Sequence, residues 1–285
     1  MEPMTGGLEG GASGLFGASG VAADFAGLLK RQGLYPPAGG LYPVAGAVYN
    51  APLAGVARPE ETHATTILAF KFAGGVLMAG DRRATAGNTV VYDRADKVLE
   101  IDRHSLMAIA GVPATAWEMA RVLEHSFQFY RRTQLQEMSL DGKVRALSKL
   151  LRDNFGFVMQ GVGIVVPIFA TYDTAAGSAR LYFYDAMGAQ FEATDYAVSG
   201  SGSPAVRSIL YYANTWGQKP LREISREEAV VLALRALDTA AETDTATGGV
   251  DRRGRVYPVV KIVNGDGIAT LSEEDLANTF KADVK

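Results

Sequence analysis

From residue 65 onward, short hydrophobic runs are separated by glycine, aspartate and asparagine, a pattern typical of β-strands joined by turns. A first block of predicted strands covers residues 66–71, 75–80, 89–92, 97–101 and 106–110. A second block covers residues 164–172, 180–185 and 190–198, and a last strand covers residues 257–263. Between and after these blocks, the spacing of the apolar residues changes.

Apolar residues at helical spacing predict helices between the two blocks and beyond the second one. These helices cover residues 113–132, 140–159, 204–215 and 226–239, and a short last helix begins after Ser272. Ser225 is followed three residues later by Glu228, which predicts a capping box at the start of a helix. In a capping box each side chain satisfies an otherwise unpaired backbone N–H.

The order of these elements predicts an α+β fold. Strands, two helices, more strands and more helices pack most simply as two stacked antiparallel sheets with helices on both outer faces, a four-layer αββα sandwich. The alternative is a parallel βαβ sheet, in which strands and helices would alternate singly, and here they do not.

The first 64 residues differ from the rest of the chain. They hold 13 of the 32 glycines, together with alanine and prolines such as Pro36 and Pro37, and they show no sustained helical or strand period. This composition is typical of a flexible leader. We therefore expect a leader at residues 1–64 and a folded domain at residues 65–285.

Composition argues against several classes of function. The formal net charge of −3, with no long run of one sign, gives no reason to expect nucleic acid or an anionic membrane as a partner. The chain lacks cysteine, and its three histidines lie in no metal-ligand spacing, so we expect no metal site. The longest apolar run, residues 162–170, is too short to span a bilayer. We expect a soluble, cytoplasmic protein.

Thr65, at the junction of leader and domain, is the candidate for nucleophilic chemistry. A threonine hydroxyl needs a base, and a threonine at the chain terminus carries one in its own α-amine. That amine has a pKa of about 7.7–8.0, so a useful fraction is unprotonated near neutral pH. The chemistry requires cleavage between Ala64 and Thr65. Taken alone, a threonine here could simply be the first residue of a strand.

Several segments, taken in order, resemble one known family. They are residues 65–67, 76–85, 96–98, 108–111, 200–203 and 244–249. Together they resemble the β subunits of 20S proteasomes, most closely those of actinobacteria, over nearly all of residues 65–280. The resemblance implies the fold of N-terminal-nucleophile hydrolases, which is the four-layer sandwich, and the activity of a threonine endopeptidase.

The resemblance also implies a role for each matching residue. Thr65 would be both nucleophile and base, Lys97 would lower the pKa of its amine, and Asp81 would hold Lys97 in place. Gly111 would donate its backbone N–H to the oxyanion. The residues that would position the new chain terminus are Ser201, Asp244 and Thr247.

The substrate site is implied in the same way. Thr85 would pair its backbone with an extended substrate. An apolar pocket, which favours apolar substrate side chains, would be lined by Ala84, Ala95, Leu99 and Ile109. Pro113 falls near a position whose N–H helps to bind substrate in the family, and proline has no N–H. One hydrogen bond to substrate is therefore expected to be missing.

Each assignment has a structural alternative. Asp81 and Lys97 could form a surface ion pair, Gly111 could be a turn glycine, and the segments near Ser201 and Asp244 could be ordinary turns. The chain also departs from the family at Ala64, where glycine is usual because it permits a strained turn at the cleaved bond. Alanine at this position would slow processing, or the substitution is an engineered one.

The implied assembly is a chamber of stacked heptameric rings of this chain, capped by α subunits, fed by a ring-shaped ATPase and degrading unfolded proteins. No cofactor is implied. The alternatives are an inactive structural ring subunit, a two-ring bacterial peptidase without α subunits, and an amidohydrolase that acts on a small amide. Inactive subunits generally lack the threonine or the lysine. The two-ring peptidase typically has Gly-Asp-Gly-Gln where this chain has Gly80-Asp81-Arg82-Arg83.

Overall fold

The computed structural model describes residues 65–86, 89–251 and 256–284. The predicted leader, with Ala64 and the bond to be cleaved, lies outside the described residues. The strands within the described ranges are β1 (Thr66–Phe72), β2 (Gly75–Gly80), β3 (Ala84–Ala86), β4 (Thr89–Tyr92), β5 (Val98–Asp102), β6 (Ser105–Ala108), β7 (Ile168–Asp173), β8 (Ser178–Tyr184), β9 (Gln190–Glu192), β10 (Tyr196–Gly200), β11 (Val259–Asn264) and β12 (Gly267–Thr270).

The helices fall between β6 and β7, between β10 and β11, and after β12. They are α1 (Pro113–Gln134), α2 (Leu140–Asp153), α3 (Phe155–Val158), α4 (Ser203–Trp216), α5 (Arg226–Thr243) and α6 (Glu273–Thr279). A 3₁₀ turn at Leu221–Glu223 precedes α5, and a π-helical turn at Phe280–Val284 follows α6. The predicted capping box begins α5: Ser225 Oγ accepts from the Glu228 N–H at 3.2 Å, and Glu228 Oε2 accepts from the Ser225 N–H at 2.7 Å.

Two antiparallel five-stranded sheets form the centre of the fold. The first has the strand order β10-β1-β2-β11-β12, and the second has the order β5-β6-β7-β8-β9. Strands β3 and β4 form a separate hairpin. Because β1 lies between β10 and β2, its first residue, Thr66, pairs with Gly200, and the next, Ile67, pairs with Gly80.

Alternation along the strands divides the core into three apolar layers. In β1, Ile67 and Ala69 face the second sheet, whereas Leu68 and Phe70 face α4 and α5. In β6, on the second sheet, Met107 faces away from the first sheet and packs against α1 and α2. Successive side chains of a strand point to opposite faces, so each sheet is covered on both sides. This arrangement confirms the αββα sandwich.

Two predicted elements are divided in the structure. The helix predicted at 140–159 is interrupted at Asn154, whose side-chain amide donates to Gly163 O at 2.7 Å. The strand predicted at 190–198 is two strands, because the chain leaves the second sheet after β9 and enters the first at β10. Asp195 lies between these two strands, and its carboxylate accepts from Arg222 Nε at 2.6 Å. This bond fixes the segment that passes from one sheet to the other.

Candidate active site

The start of β1 is held between the ends of two other strands. The Ser201 N–H, just after β10, donates to Thr65 O at 2.9 Å, and the Asp81 N–H, just after β2, donates to Thr66 O at 3.1 Å. Thr65 itself is only 4% exposed. The structure therefore places Thr65 at one edge of the first sheet, where loops after β2 and β10 meet.

Asp81 is completely buried beside this edge and receives four hydrogen bonds. Its Oδ1 accepts from the Thr66 N–H at 2.8 Å and from Lys97 Nζ at 2.7 Å. Its Oδ2 accepts from the N–H groups of Arg83 and Gly248, both at 2.9 Å. A buried carboxylate needs such donors to offset the loss of water. The alternative of a surface ion pair is wrong, since the Lys97 side chain is only 5% exposed.

Lys97 lies just before β5 and is fixed by a second bond, because its Nζ donates to Arg83 O at 2.5 Å. Burial lowers the pKa of Lys97 below its ordinary value of 10.5, while the charge of Asp81 and its hydrogen bond oppose that shift. The Lys97 ammonium is thus a desolvated cation whose position is fixed by hydrogen bonds to Asp81 and Arg83 O. Such a cation acts more strongly on a neighbouring amine than an exposed one would.

A glycine is required beside Thr65 for steric reasons. Gly200 has φ +96°, and a Cβ on it would lie 1.8 Å from Thr65 O. The segment that begins at Gly200 is therefore more than an ordinary turn. It brings the backbone of β10 and the Ser201 side chain directly against the start of β1.

Asp244, the residue that follows α5, accepts hydrogen bonds from the neighbouring hydroxyls. Its Oδ2 accepts from Ser201 Oγ and from Thr247 Oγ1, each at 2.5 Å, and its Oδ1 accepts from the Ala246 N–H at 3.1 Å. Burial alone would raise the pKa of Asp244, but these hydrogen bonds outweigh it and hold the pKa below its ordinary value. Ser201 Oγ also lies 3.5 Å from Thr65 O, so this cluster reaches the start of β1.

Gly111 lies apart from both carboxylate clusters in the hydrogen bonds of the described residues. It has φ +114°, forms a bridge with Val165, and a Cβ on it would lie 2.0 Å from Ile164 O. Glycine is required at position 111 because the backbone there lies so close to the segment before β7. A turn alone does not account for it.

The residues predicted around the substrate lie on several elements. Thr85 is buried in β3 and pairs with Val90 of β4. Leu99 and Ile109 pack in the apolar layer beneath α1 and α2, and Ile109 donates its N–H to Lys97 O at 2.9 Å. The other predicted pocket residues are Ala84, in β3, and Ala95, which donates its N–H to Arg82 O.

Pro113 is the first residue of α1. At that position a proline costs no helical hydrogen bond, because the first N–H groups of a helix have no partner within it. Its presence is therefore explained by the start of the helix.

Comparison with known proteins identifies the family. A family model described as proteasome subunit matches residues 61–253. The chain belongs to the proteasome subunit family. It is 40% identical over 227 residues to proteasome subunit beta 2 of Thermomonospora curvata, covering 79% of this chain and 78% of that one. It is also 40% identical over 228 residues to proteasome subunit beta of Streptosporangium roseum, covering 80% and 78%.

A third relative, proteasome subunit beta of Jonesia denitrificans, is 39% identical over 216 residues, covering 76% of this chain and 69% of the relative. All three relatives are actinobacterial β subunits, so the predicted resemblance is confirmed and the chain is a β-type proteasome subunit. A proteasome subunit assembles with other subunits.

Two residues of this proteasome subunit contribute to the site but were not predicted from the sequence. Arg83 Nη1 donates to Thr245 O at 2.9 Å and to Thr247 O at 3.2 Å, and so fastens the loop after α5. Thr66 binds Asp81 through its backbone and Thr247 through its hydroxyl. Both lie in segments that carry the family resemblance, but side-chain contacts between distant segments are invisible in a local pattern.

Two further findings concern the described part of this proteasome subunit. Within it, no three or more histidine, aspartate or glutamate side chains are grouped so that they could hold a metal ion. No helix there has the length and apolar character needed to cross a membrane.

Replacing Gly200 with alanine tests the packing around Thr65. The new Cβ would overlap Thr65 O in a backbone conformation that side chains rarely adopt, so we expect a loss of about 1–3 kcal/mol in the free energy of unfolding. Gly156→Ala is the control, because a methyl group added there would meet nothing within 4 Å beyond its chain neighbours and its own helix backbone, and alanine favours a helix. Urea denaturation of both variants gives the measurement; equal stability would contradict the close approach at Gly200.

Proposed function

We propose that the chain is a catalytic β subunit, a threonine endopeptidase whose nucleophile is the hydroxyl of Thr65. The observation that supports this most directly is the buried Asp81–Lys97 pair, bonded at 2.8 Å to the N–H of the residue that follows Thr65. A structural subunit has no need of a desolvated lysine at this position. The inactive-subunit alternative is therefore disfavoured.

The proposed reaction is acyl transfer followed by hydrolysis. The free α-amine of Thr65 takes the proton of its own hydroxyl, and the oxygen attacks the carbonyl of the scissile bond. The Gly111 N–H stabilises the resulting oxyanion. The protonated amine then gives its proton to the leaving amine of the substrate. Water, activated by the same amine, releases the acyl group from Thr65 and restores the hydroxyl.

Lys97 makes the amine of Thr65 an effective base. A nearby ammonium disfavours protonation of the amine, because two like charges in a buried site repel each other. The charge of Asp81 favours the charged form of Lys97 in spite of burial. The other three hydrogen bonds of Asp81 keep its carboxylate from turning toward the Thr65 amine. The pair thus lowers the pKa of the Thr65 amine toward the pH of the reaction.

The amine exists only after residues 1–64 have been removed, and we propose that this region is a propeptide. The Thr65 hydroxyl attacks the carbonyl of Ala64 and gives its proton to water, because the Thr65 nitrogen is still part of the peptide bond. The C–N bond breaks, the nitrogen becomes the free amine, and water then hydrolyses the ester left between residue 64 and the Thr65 oxygen. Ala64 in place of glycine restricts the turn that this step requires. Processing is then slower than in a chain with glycine before the threonine.

Thr65→Ala tests self-processing. The variant lacks the attacking hydroxyl, so the bond between residues 64 and 65 should stay intact in protease-free buffer, as intact mass would show. Thr133→Ala is the control, because its hydroxyl is exposed on α1 and donates to Phe129 O. The control should lose residues 1–64 at the unmodified rate. Cleavage of Thr65→Ala at the same bond and rate would rule out autocatalysis.

We further propose that the partners are copies of this chain and α subunits in stacked heptameric rings, with a ring-shaped ATPase that delivers unfolded proteins. Large apolar side chains are exposed on several helices, and such surfaces mark contacts between proteins. They include Trp117 on α1, Phe155 on α3 and Trp216 on α4.

Co-expression with an α subunit tests the assembly. Because the rings would bury these helices, sedimentation should give a particle many times larger than the 30.3 kDa chain. A chain that remains monomeric under these conditions would contradict the proposed rings.

Substitution of Lys97 tests the proposed mechanism. Lys97→Ala removes the charge, and Lys97→Arg keeps it on a wide planar group that does not fit the slot between Asp81 and Arg83 O. We expect peptidase activity on casein and short peptides to fall by at least about 100-fold in Lys97→Ala and to fall strongly in Lys97→Arg.

Lys143→Ala is the matched control for these variants. Lys143 is also buried and paired, with Asp102 at 2.7 Å, but it lies on α2 in another cluster. Activity per folded chain should stay within about threefold of the unmodified protein, since Lys143 touches no reacting group. Near-full activity of Lys97→Arg would show that charge alone is sufficient, and near-full activity of Lys97→Ala would remove Lys97 from the site.

A further inference from the structure

Thr66, the residue after the proposed nucleophile, makes a hydrogen bond through each of its polar groups. Its N–H donates to Asp81 Oδ1 at 2.8 Å, and its carbonyl accepts from the Asp81 N–H at 3.1 Å. Its hydroxyl oxygen accepts from the Gly202 N–H at 2.9 Å and lies 2.5 Å from Thr247 Oγ1. The side chain is completely buried.

The direction of the bond between Thr66 and Thr247 follows from the number of hydrogens. A hydroxyl has one hydrogen to donate, and that of Thr247 goes to Asp244 Oδ2 at 2.5 Å. The Asp244 carboxylate is ionised near neutral pH and can only accept. Thr66 must therefore donate to Thr247, and one ordered chain of bonds runs from the Gly202 N–H through Thr66 and Thr247 to Asp244.

This chain of bonds ends beside the nucleophile. Asp244 also accepts from Ser201 Oγ at 2.5 Å, and Ser201 contacts Thr65 O through its N–H at 2.9 Å and its hydroxyl at 3.5 Å. Thr66 is thus bonded to Asp81 directly and to Asp244 through Thr247. It joins the two carboxylate clusters while being covalently attached to Thr65.

Gly202 gives independent support. A Cβ at this position would lie 2.5 Å from Thr66 Oγ1 and 2.7 Å from Thr247 Oγ1. The close contact of the two hydroxyls with the backbone before α4 leaves no room for a side chain. Packing around Gly202 therefore holds the two hydroxyls together.

We propose that the Thr66 hydroxyl is a positioning group that sets the orientation of Thr65 relative to the Asp81–Lys97 pair and the Asp244 cluster. This rests on the proposed function. A valine would suit β1 equally well as a strand residue and has nearly the same shape. The hydroxyl is therefore what distinguishes threonine here, because valine would leave the buried Gly202 N–H without an acceptor.

The test compares Thr66→Val with Thr66→Ser and Thr171→Val in the full-length chain. Thr171 is the matched control: it is a buried strand threonine in β7 whose hydroxyl lies 3.0 Å from Ser105 Oγ, outside the site. Processing is followed by intact mass. The kcat and KM are measured on a peptide substrate per chain that begins at Thr65, with unfolding curves to compare stability.

We expect Thr66→Val to process more slowly and to lower kcat at least about tenfold with KM within about twofold, since a misplaced nucleophile slows the chemical step. Thr66→Ser should recover kcat to within about threefold, because it restores the donor and the acceptor. Thr171→Val should keep kcat within about twofold even if its stability falls by as much as that of Thr66→Val. A normal kcat in Thr66→Val, equal loss in Thr171→Val, or no recovery in Thr66→Ser would overturn the proposal.

Crystal structures of the same variants separate this proposal from the proposed function. If the unmodified chain neither processes itself nor cleaves peptides, the endopeptidase assignment fails, and the structures still decide the role of Thr66. Thr66→Val should then show Thr65 O or the Thr247 hydroxyl displaced, and Thr66→Ser should not. Unchanged positions in Thr66→Val would overturn the positioning role.

Discussion

The buried carboxylate of Asp81 is the constraint on which the arrangement of the site depends. An ionised group with no exposed surface must receive hydrogen bonds from the protein, and Asp81 receives four. Its donors come from the start of β1, the turn after β2, the segment before β5 and the loop after α5. Each of these four segments is held in place by Asp81, because separating one removes a hydrogen bond from a buried charge.

The sandwich supplies the frame that makes this convergence possible. Register in the first sheet places Thr66 opposite Gly200 and Ile67 opposite Gly80, so three strand ends meet at one edge. Missing side chains at Gly200 and Gly202 allow the backbone after β10 to touch β1. The apolar layers above and below exclude water from Asp81 and Lys97, which strengthens the interaction between their charges.

Local patterns in the sequence predicted most of the fold. Alternation and helical spacing located the sheets and main helices, and the Ser225 capping box is present as predicted. The two divided elements show where such patterns fail. The passage from one sheet to the other after β9 has no signal in the sequence of residues 190–198. The helix break at Asn154 depends on a hydrogen bond to Gly163, which is distant from the local pattern. Two short strands were missed: β3, which has three residues, and β12, which has four and follows the strand predicted to be the last.

The site was predicted by family resemblance more than by pattern. The residues around Thr65 that the resemblance named are brought together in the structure as the Asp81–Lys97 pair and the Asp244 cluster, while Gly111 is anchored to the segment before β7. Thr66 was not predicted, since its hydroxyl bond joins residues 181 positions apart. Contacts of that kind depend on tertiary structure and have no signature in a short window of sequence.

In the proposed reaction the Thr65 hydroxyl carries the acyl group during turnover. The most direct measurement is to quench the processed protein with acid during hydrolysis of a peptide ester and to locate the acyl group by peptide mapping and mass spectrometry. We expect one added acyl group on the peptide that begins at Thr65. An acyl group on another residue, such as Ser201, or hydrolysis with none on Thr65, would contradict it.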